Sequence, residues 1–432
     1  MGLKKKKLTE GQTRLYITRG QAIKKLQISL KEFQRLCILK GVYPRDVARG
    51  GAFATKGVNR AHIKSNKLYY HIADITYLAS GDLLNKLREM RIFVRKRKKL
   101  EHKKQLYDAK KMGDRKPVYP LKQIVKERHP TLTHAIQHLD DALTTLAAIA
   151  GITGIPGDEK ARVPAVVVRK CFKIINDFYS LIVYLQALKC GFISIKGYYF
   201  QAKLLNIPVT WLIPHEFPQD LPREVDFKVM LTFVEYYQVL VTLVTEKMYS
   251  LCGLAYPPKQ KFESLGFIGS EMERDMAVEP EVLPGKGIFA GLTFYIHREV
   301  PLIPIALALM GSGAHVGFQG QNSPFNEDYQ GITHRVVDRP MKSLNSQPNT
   351  ELVQPQYVFD SLNLQQLLPV RNYSPDAKLP PHISPFEEKE NDDILEIDPL
   401  SKSMLPKKYR RLVSKVEHRQ QRASASNDIK IG

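Results

Sequence analysis

The chain has 432 residues, 43% of them hydrophobic, with a formal net charge of +22. That length and apolar content build two or three packed domains and exclude a disordered polymer. The charge is uneven: residues 1–130 hold 34 Lys and Arg against 10 Asp and Glu, and the rest holds 31 against 33. The whole excess sits in the first third, which predicts one polyanion-binding region on an otherwise balanced protein.

The cysteines Cys37, Cys171, Cys190 and Cys252 are too far apart for a metal-knuckle spacing. Cys37, Cys171 and Cys252 fall in apolar helical patterns, where Cys acts as a small hydrophobe. A reducing intracellular compartment without disulfides or zinc is expected. No apolar segment follows the N-terminal MGLKKKK, so no secretory signal is expected. Lys6 stands where myristoylation requires Ser or Thr. The apolar runs at 142–155 and 300–310 are too short or too broken by Gly and Pro to span a membrane.

Lys4, Lys5, Lys6 and Lys7 form a basic tip, readable as a phosphate or nuclear-import contact or as a solvated tail. Ser29 and Glu32 make a capping box. It opens a short helix with an apolar face of Leu30, Phe33, Leu36 and Cys37, closed by Gly41 and Pro44. Gly50–Asn66 is a polar loop, and Leu68–Leu78 is apolar and of open type. Next comes LLNKLREMRIFVRKRKKLEHKK, from Leu83 to Lys104. Leu83, Leu87, Met90 and Val94 recur at helical spacing. Arg88, Arg91, Arg95, Lys96, Arg97, Lys98, Lys99, Lys103 and Lys104 fill most other positions, offset by Glu89 and Glu101 alone. Such a helix spans roughly 33 Å, with a dry face for docking and a wet face carrying a row of cations. That row matches the phosphate spacing of a nucleic acid better than a small substrate. The bland alternative is a solvated helix face, but opposite-charge pairs that support such a face are missing from the run.

A polar linker with Gly113, Asp114 and Pro117 ends the basic helix. Leu132, Ile136, Leu139, Leu143, Leu146 and Ala150 keep a strict period and predict one buried helix. Asp140 and Asp141 are consecutive; their side chains diverge by about 100° on a helix and cannot easily share a substrate. Phe172, Ile175, Phe178, Ile182, Leu185 and Leu188 mark a long helix stopped at Gly191. FISIKGYYFQAKLLNIPVTWLIP reads as a small β meander with breaks at Gly197, Asn206 and Pro208. Its aromatics Tyr198, Tyr199, Phe200 and Trp211 read as core before base-stacking platforms. A helical pattern returns over Val229–Leu251, closed by Gly253, Pro257 and Pro258.

Residues 259–284 read as a linker of mixed charge. A unit of about 90 residues follows: strand Gly291–Ile296, helix Pro301–Met310, strands His315–Phe318, Thr333–Val337 and Glu351–Val353, and helix Pro355–Leu367. Strands separated by helices imply a parallel sheet with helices packed on it, and Pro355 suits a first helical turn. An acidic patch runs from Glu387 to Asp398, and a basic tail ends the chain. No Walker loop occurs, and Gly285, Gly287 and Gly291 miss the dinucleotide spacing. His297, His315 and His334 lack ligand spacing, and no Ser, Cys or Thr has a nucleophile context. No catalytic residue, metal ligand or cofactor is expected.

In order along the chain stand YITRGQAIKKLQISLKEFQRLCILKGVYP from Tyr16, FVRKRKK from Phe93, HLDDAL from His138, FISIKGYYFQA from Phe192, VTWLIPHEF from Val209, DFKVMLTFVEYY from Asp226 and YPPK from Tyr256. FYIHREVP from Phe294, THRVVDRP from Thr333, VQPQYVFDS from Val353, LLPV from Leu367 and LPPHISPF from Leu379 follow. As a set these stretches resemble the pescadillo family of nucleolar ribosome-assembly factors. The resemblance implies an α+β multidomain chain. A mostly helical, basic pescadillo domain with a small β meander spans 1–258, with a linker at 259–284. An α/β BRCT domain with a parallel sheet occupies 285–374, and an acidic then basic tail 375–432.

The resemblance further implies a non-catalytic scaffold on the large-subunit pre-ribosome, in nucleolus and nucleoplasm and not at a membrane. The implied partners are pre-rRNA, a beta-propeller protein of the block-of-proliferation type and a second WD-repeat protein, together the PeBoW complex. The implied process is pre-rRNA maturation, including removal of the second internal transcribed spacer. Two departures stand out. Tyr357 replaces the usual BRCT Trp. Ile296-His297-Arg298 fills the place where phosphopeptide-binding members carry Ser or Thr, so no phosphopeptide site is expected. The acidic region before the tail is also short for the family. Rival readings are a BRCT-type nuclear adaptor in DNA-damage or cell-cycle signalling, which needs that missing phosphate pocket, and a cryptic enzyme, which needs converging titratable groups.

Overall fold

Two capping boxes start the first helices. The computed structural model describes residues 16–45, 68–115, 117, 119, 121–152, 163–215, 227–260, 266–274, 282–339 and 350–386. Strand β1 (Tyr16–Thr18) runs into α1 (Arg19–Leu26), where Gln21 N–H donates to Thr18 Oγ1 and Thr18 N–H donates back to Gln21 Oε1. Ser29 and Glu32 repeat the device at α2 (Leu30–Lys40). Gly41 ends α2 at φ 68°, a conformation glycine adopts without a Cβ clash. Phe33, Leu36 and Cys37 are buried as expected, whereas Leu30 is exposed.

The stretch from Leu68 resolves into β2 (Tyr69–His71), antiparallel to β1, and α3 (Ile72–Ala79). Then come α4 (Asp82–His102), α5 (Leu106–Gly113), α6 (Leu121–Arg128), α7 (Leu132–Ile136) and α8 (Asp140–Ala150). The single helix expected over Leu132–Ala150 is thus two. His138 N–H donates to Ala135 O and Leu139 N–H to Ile136 O, so tight turns join the pieces. The apolar phase survives the break: Ile136, Leu139, Leu143 and Leu146 are fully buried.

Helix α9 (Ala165–Leu185) ends at Gln186 with φ 49°, not at Gly191. Leu188 and Gly191 belong to β3 (Leu188–Ser194), which pairs with β4 (Gly197–Leu204) and that with β5 (Ile207–Pro214) in an antiparallel meander. Pro208 lies within β5 rather than breaking it; β5 is an edge strand, where a missing N–H does no harm. Trp211 and Phe200 are buried and stack on each other at 5.9 Å.

Helix α10 (Phe227–Leu251) lies against α2, α6, α7, α8 and α9 and buries Val234, Leu240, Val241, Val244 and Met248. Its Val229–Leu251 stretch is also long and apolar enough to cross a membrane, an option missed in the runs weighed from sequence. In this fold that stretch packs against five other helices. Strand β6 (Lys259–Gln260) pairs with β7 (Ser270–Glu271). The stretch read as linker therefore holds structure: Phe267 is buried edge-on to Tyr179 at 5.6 Å, and the hydroxyl oxygens of Ser180 and Ser270 lie 2.8 Å apart.

The second sheet contains β8 (Thr293–Ile296), β9 (His315–Phe318), β10 (His334–Val336) and β11 (Glu351–Val353), all parallel, in the order β11-β10-β8-β9. Helix α11 (Leu302–Met310) joins β8 to β9, and α12 (Pro355–Leu364) follows β11 with Pro355 in its first turn. This is the α+β architecture expected. The outer edge of β3 is covered by the same region: Gly191 N–H donates to Asn363 Oδ1 at 2.9 Å and Ile193 N–H to His382 Nε2 at 3.0 Å. These outward N–H groups would otherwise template strand addition. A Cβ on Gly191 would lie 2.8 Å from the Phe359 ring, so that close approach requires glycine. All four cysteines are free and buried, and burial pushes the Cys37 thiol up to about 12. The described residues up to Ile383 form one compact unit.

Candidate nucleic-acid interface

The cationic stretch forms α4, and it changes character half-way. Leu83, Leu84, Leu87 and Phe93 are buried. Of the stripe read from periodicity, Met90 is half-buried and Val94 is 42% exposed. Phe93 and Ala109 of α5 are buried outside the main core, and the two helices contact each other. Beyond Phe93, residues 94–99 are all exposed. Six consecutive exposed residues cover every direction around a helix of 3.6 residues per turn. From Val94 to Lys99 this half stands clear of the main core and offers charge in most directions, and Leu100 beyond it is half-buried.

The nine cations divide accordingly. Arg88 Nη2 donates to Leu26 O at 2.9 Å and Arg91 Nη1 to Gln27 O at 3.3 Å. Both cap the C-terminal end of α1, where unpaired carbonyls favour cations. Their guanidinium groups hold α4 to α1. Arg97 Nε pairs with Glu101 Oε1 at 2.9 Å, and Lys86 with Glu89 at 3.1 Å. Two opposite-charge pairs therefore support the helix, at the i,i+4 and i,i+3 spacings read as missing. Arg95, Lys96, Lys98, Lys99, Lys103 and Lys104 are exposed and have no side-chain hydrogen bond or ion pair among the described residues. Lys4, Lys5, Lys6 and Lys7 lie outside the described residues.

Lys104 sits at φ 58°; its N–H donates to Glu101 O and the Gln105 N–H to Leu100 O, which turns the chain into α5. The first residues after that turn, Leu106 and Tyr107, are 70% and 77% exposed. An apolar residue and an aromatic ring thus flank the cations, between Lys103 and Lys104 on one side and Lys110 and Lys111 on the other. Sequence reasoning missed them because it placed this turn in the linker; the signal was the pattern KKQLYDAKK itself.

The other candidate chemistry resolves into packing. Asp140 Oδ1 accepts from Thr210 N–H at 3.1 Å, tying α8 to β5. His334 is buried between the rings of Phe294 and Tyr357, at 4.7 and 5.8 Å. His297 is buried at the end of β8, and its N–H donates to Val336 O. His315 is exposed.

Known proteins agree with the resemblance noted in the sequence. A family profile described as Pescadillo N-terminus matches residues 6–276. A Pescadillo homologue of Nematostella vectensis is 35% identical over 91% of this chain and 83% of that protein. One from Caenorhabditis elegans is 35% identical over 92% and 79%, and one from Schizosaccharomyces pombe 33% identical over 88% and 74%. With the profile covering more than half of the residues and the similarity running nearly end to end, the chain belongs to the pescadillo family.

Proposed function

We propose that this protein is a non-catalytic assembly factor of the large ribosomal subunit, working in the nucleolus and nucleoplasm. Membership of the pescadillo family supports the ribosomal part of that reading. The proposed task is pre-rRNA maturation, including removal of the second internal transcribed spacer, as a scaffold. The proposed partners are the beta-propeller protein of the block-of-proliferation type and the second WD-repeat protein of the PeBoW complex. In the proposed division of the chain, 1–258 is the pescadillo domain, 259–284 a joining segment and 285–374 a BRCT domain. Four parallel strands with α11 on the first crossover support the BRCT assignment, as does Tyr357, buried where such domains commonly have Trp. Ile296-His297-Arg298 supplies no hydroxyl for a phosphopeptide, which disfavours a signalling adaptor.

The observation that carries the RNA part is the far half of α4. Its cations are exposed in most directions, and most lack an acidic partner among the described residues. We assign Arg95, Lys96, Lys98, Lys99, Lys103 and Lys104 to pre-rRNA phosphates, gripped by position rather than by base sequence. The test is binding of the full chain to a structured RNA over a salt series. Replacing Arg95, Lys96, Lys98 and Lys99 by Gln lowers the salt slope by roughly 3. An unchanged slope removes this helix from the interface.

A further inference from the structure

We infer that His129, His134 and His138 form a binding site for one divalent transition-metal ion of the zinc class. His129 directly follows α6, His134 lies in α7, and His138 lies in the turn before α8. Each ring offers one nitrogen, and the three nitrogens lie within 4.8 Å of one another. Nδ1 of His129 and Nδ1 of His134 are 3.0 Å apart. Ligands held at roughly 2.0–2.1 Å around a tetrahedral zinc stand about 3.3 Å from each other, so a small adjustment of rotamers brings the trio to bonding geometry. A hydrogen bond between His129 and His134 would account for that pair. It leaves the third ring unexplained: His138 lies edge-on to His134 at 4.7 Å and 5.1 Å from His129.

The backbone holds these three side chains without help from an ion. His129 N–H donates to Val125 O, closing α6. Thr131 Oγ1 accepts the His134 N–H at 3.2 Å, capping α7. The tight turn after α7 brings His138 round to the other two. His129 is buried, His134 half-buried and His138 exposed, which leaves an entry path. An all-imidazole set selects zinc, nickel, copper or cobalt over magnesium and calcium, whose ligands are oxygens. Three protein ligands leave a fourth position for water or an outside donor. Arg128 opposes a cation here, but its guanidinium lies over the Tyr236 ring at 4.9 Å and donates to Ile38 O. The ion would tie the corner of α6, α7 and α8 beside α10, away from the work proposed for α4.

The experiment uses the untagged full chain, stripped with a chelator and titrated with Zn2+ alone and with Co2+ alone. One equivalent of each binds, Co2+ gives the visible absorption of a four-coordinate site, and Zn2+ raises the melting temperature. His134→Ala and His138→Ala, at a half-buried and an exposed position outside the main core, keep the fold and each weaken Zn2+ binding about tenfold or more, since removing even an outer-shell partner of a ligand has an effect of that size. Failure to take up one equivalent overturns the site. Uptake that is unchanged in the His134→Ala/His138→Ala double variant overturns it equally, placing the ion elsewhere.

Discussion

Helices α4 and α9 have the same length, 21 residues each, and opposite surroundings. From Ile174 to Ile182 every residue of α9 is buried, whereas residues 94–99 of α4 are all exposed. Length does not separate them. Neighbours do: α9 is enclosed by α8, α10 and the turn at Gly266–Gly269. Two of its buried polar residues bond within the helix, Asn176 Nδ2 donating to Phe172 O and Ser180 Oγ to Asn176 O. The far half of α4 has backbone bonds, good helix formers and a cationic C-terminus that suits the helix dipole. One helix is held by what it packs against; the other half-helix stands by its own local interactions, leaving its charges for a ligand.

Four variants probe that contrast. Phe178→Ala in α9 has the largest expected effect. Phe178 is fully buried, edge-on to Trp211 at 5.7 Å, and its loss costs about 3–5 kcal/mol by denaturant unfolding. A loss below about 1 kcal/mol would mean that the enclosure of α9 is loose.

Asp177→Asn comes next, with the opposite sign. Burial raises the Asp177 carboxyl to about 6, against weaker lowering by Lys173 and by a hydrogen bond from Tyr256. The raised value means that the unfolded chain ionises first. Stability is therefore full below the unfolded value near 3.8 and falls as pH rises through about 6. At roughly 1.4 kcal/mol per unit, up to about 3 kcal/mol is lost by pH 7. The Asn variant should match wild type near pH 4 and exceed it at pH 7, as read by urea midpoints at both. A variant weaker than wild type at pH 7 would contradict the assignment.

Arg88→Ala tests the docked half of α4. Losing its hydrogen bond to Leu26 O should lower stability by about 1–2 kcal/mol and leave the RNA salt slope unchanged. A slope lower by about 1 would return Arg88 to the phosphate contacts. The smallest stability effect belongs to the four changes at Arg95, Lys96, Lys98 and Lys99. Each exposed site should shift unfolding by no more than about 0.5 kcal/mol while the RNA slope drops. A large loss of stability would show that the exposed half packs on something after all.

What the residues determined alone is what depends on near neighbours along the chain. The Ser29–Glu32 capping box, the left-handed Gly41, the first-turn Pro355 and the parallel strands of the second sheet all follow from interactions a few residues long or from strand–helix alternation. The end of the dry stripe on α4 did not. Periodicity shows which side chains share a face, but not whether anything lies opposite, so Val94 read like Leu87. Arg88 and Arg91 looked like the rest of the cation run because the carbonyls they cap lie 62 and 64 residues earlier. Gly191 looked like a helix stop because the ring that requires it, Phe359, arrives from the far end of the fold. The histidine trio falls between the two cases: its spacing is local, yet the rings meet only through the tight turn after α7. A side chain's chemistry is written in its own residue, but whether that chemistry is used for packing or left for a ligand depends on which distant segment comes to rest beside it, and only the assembled fold decides that.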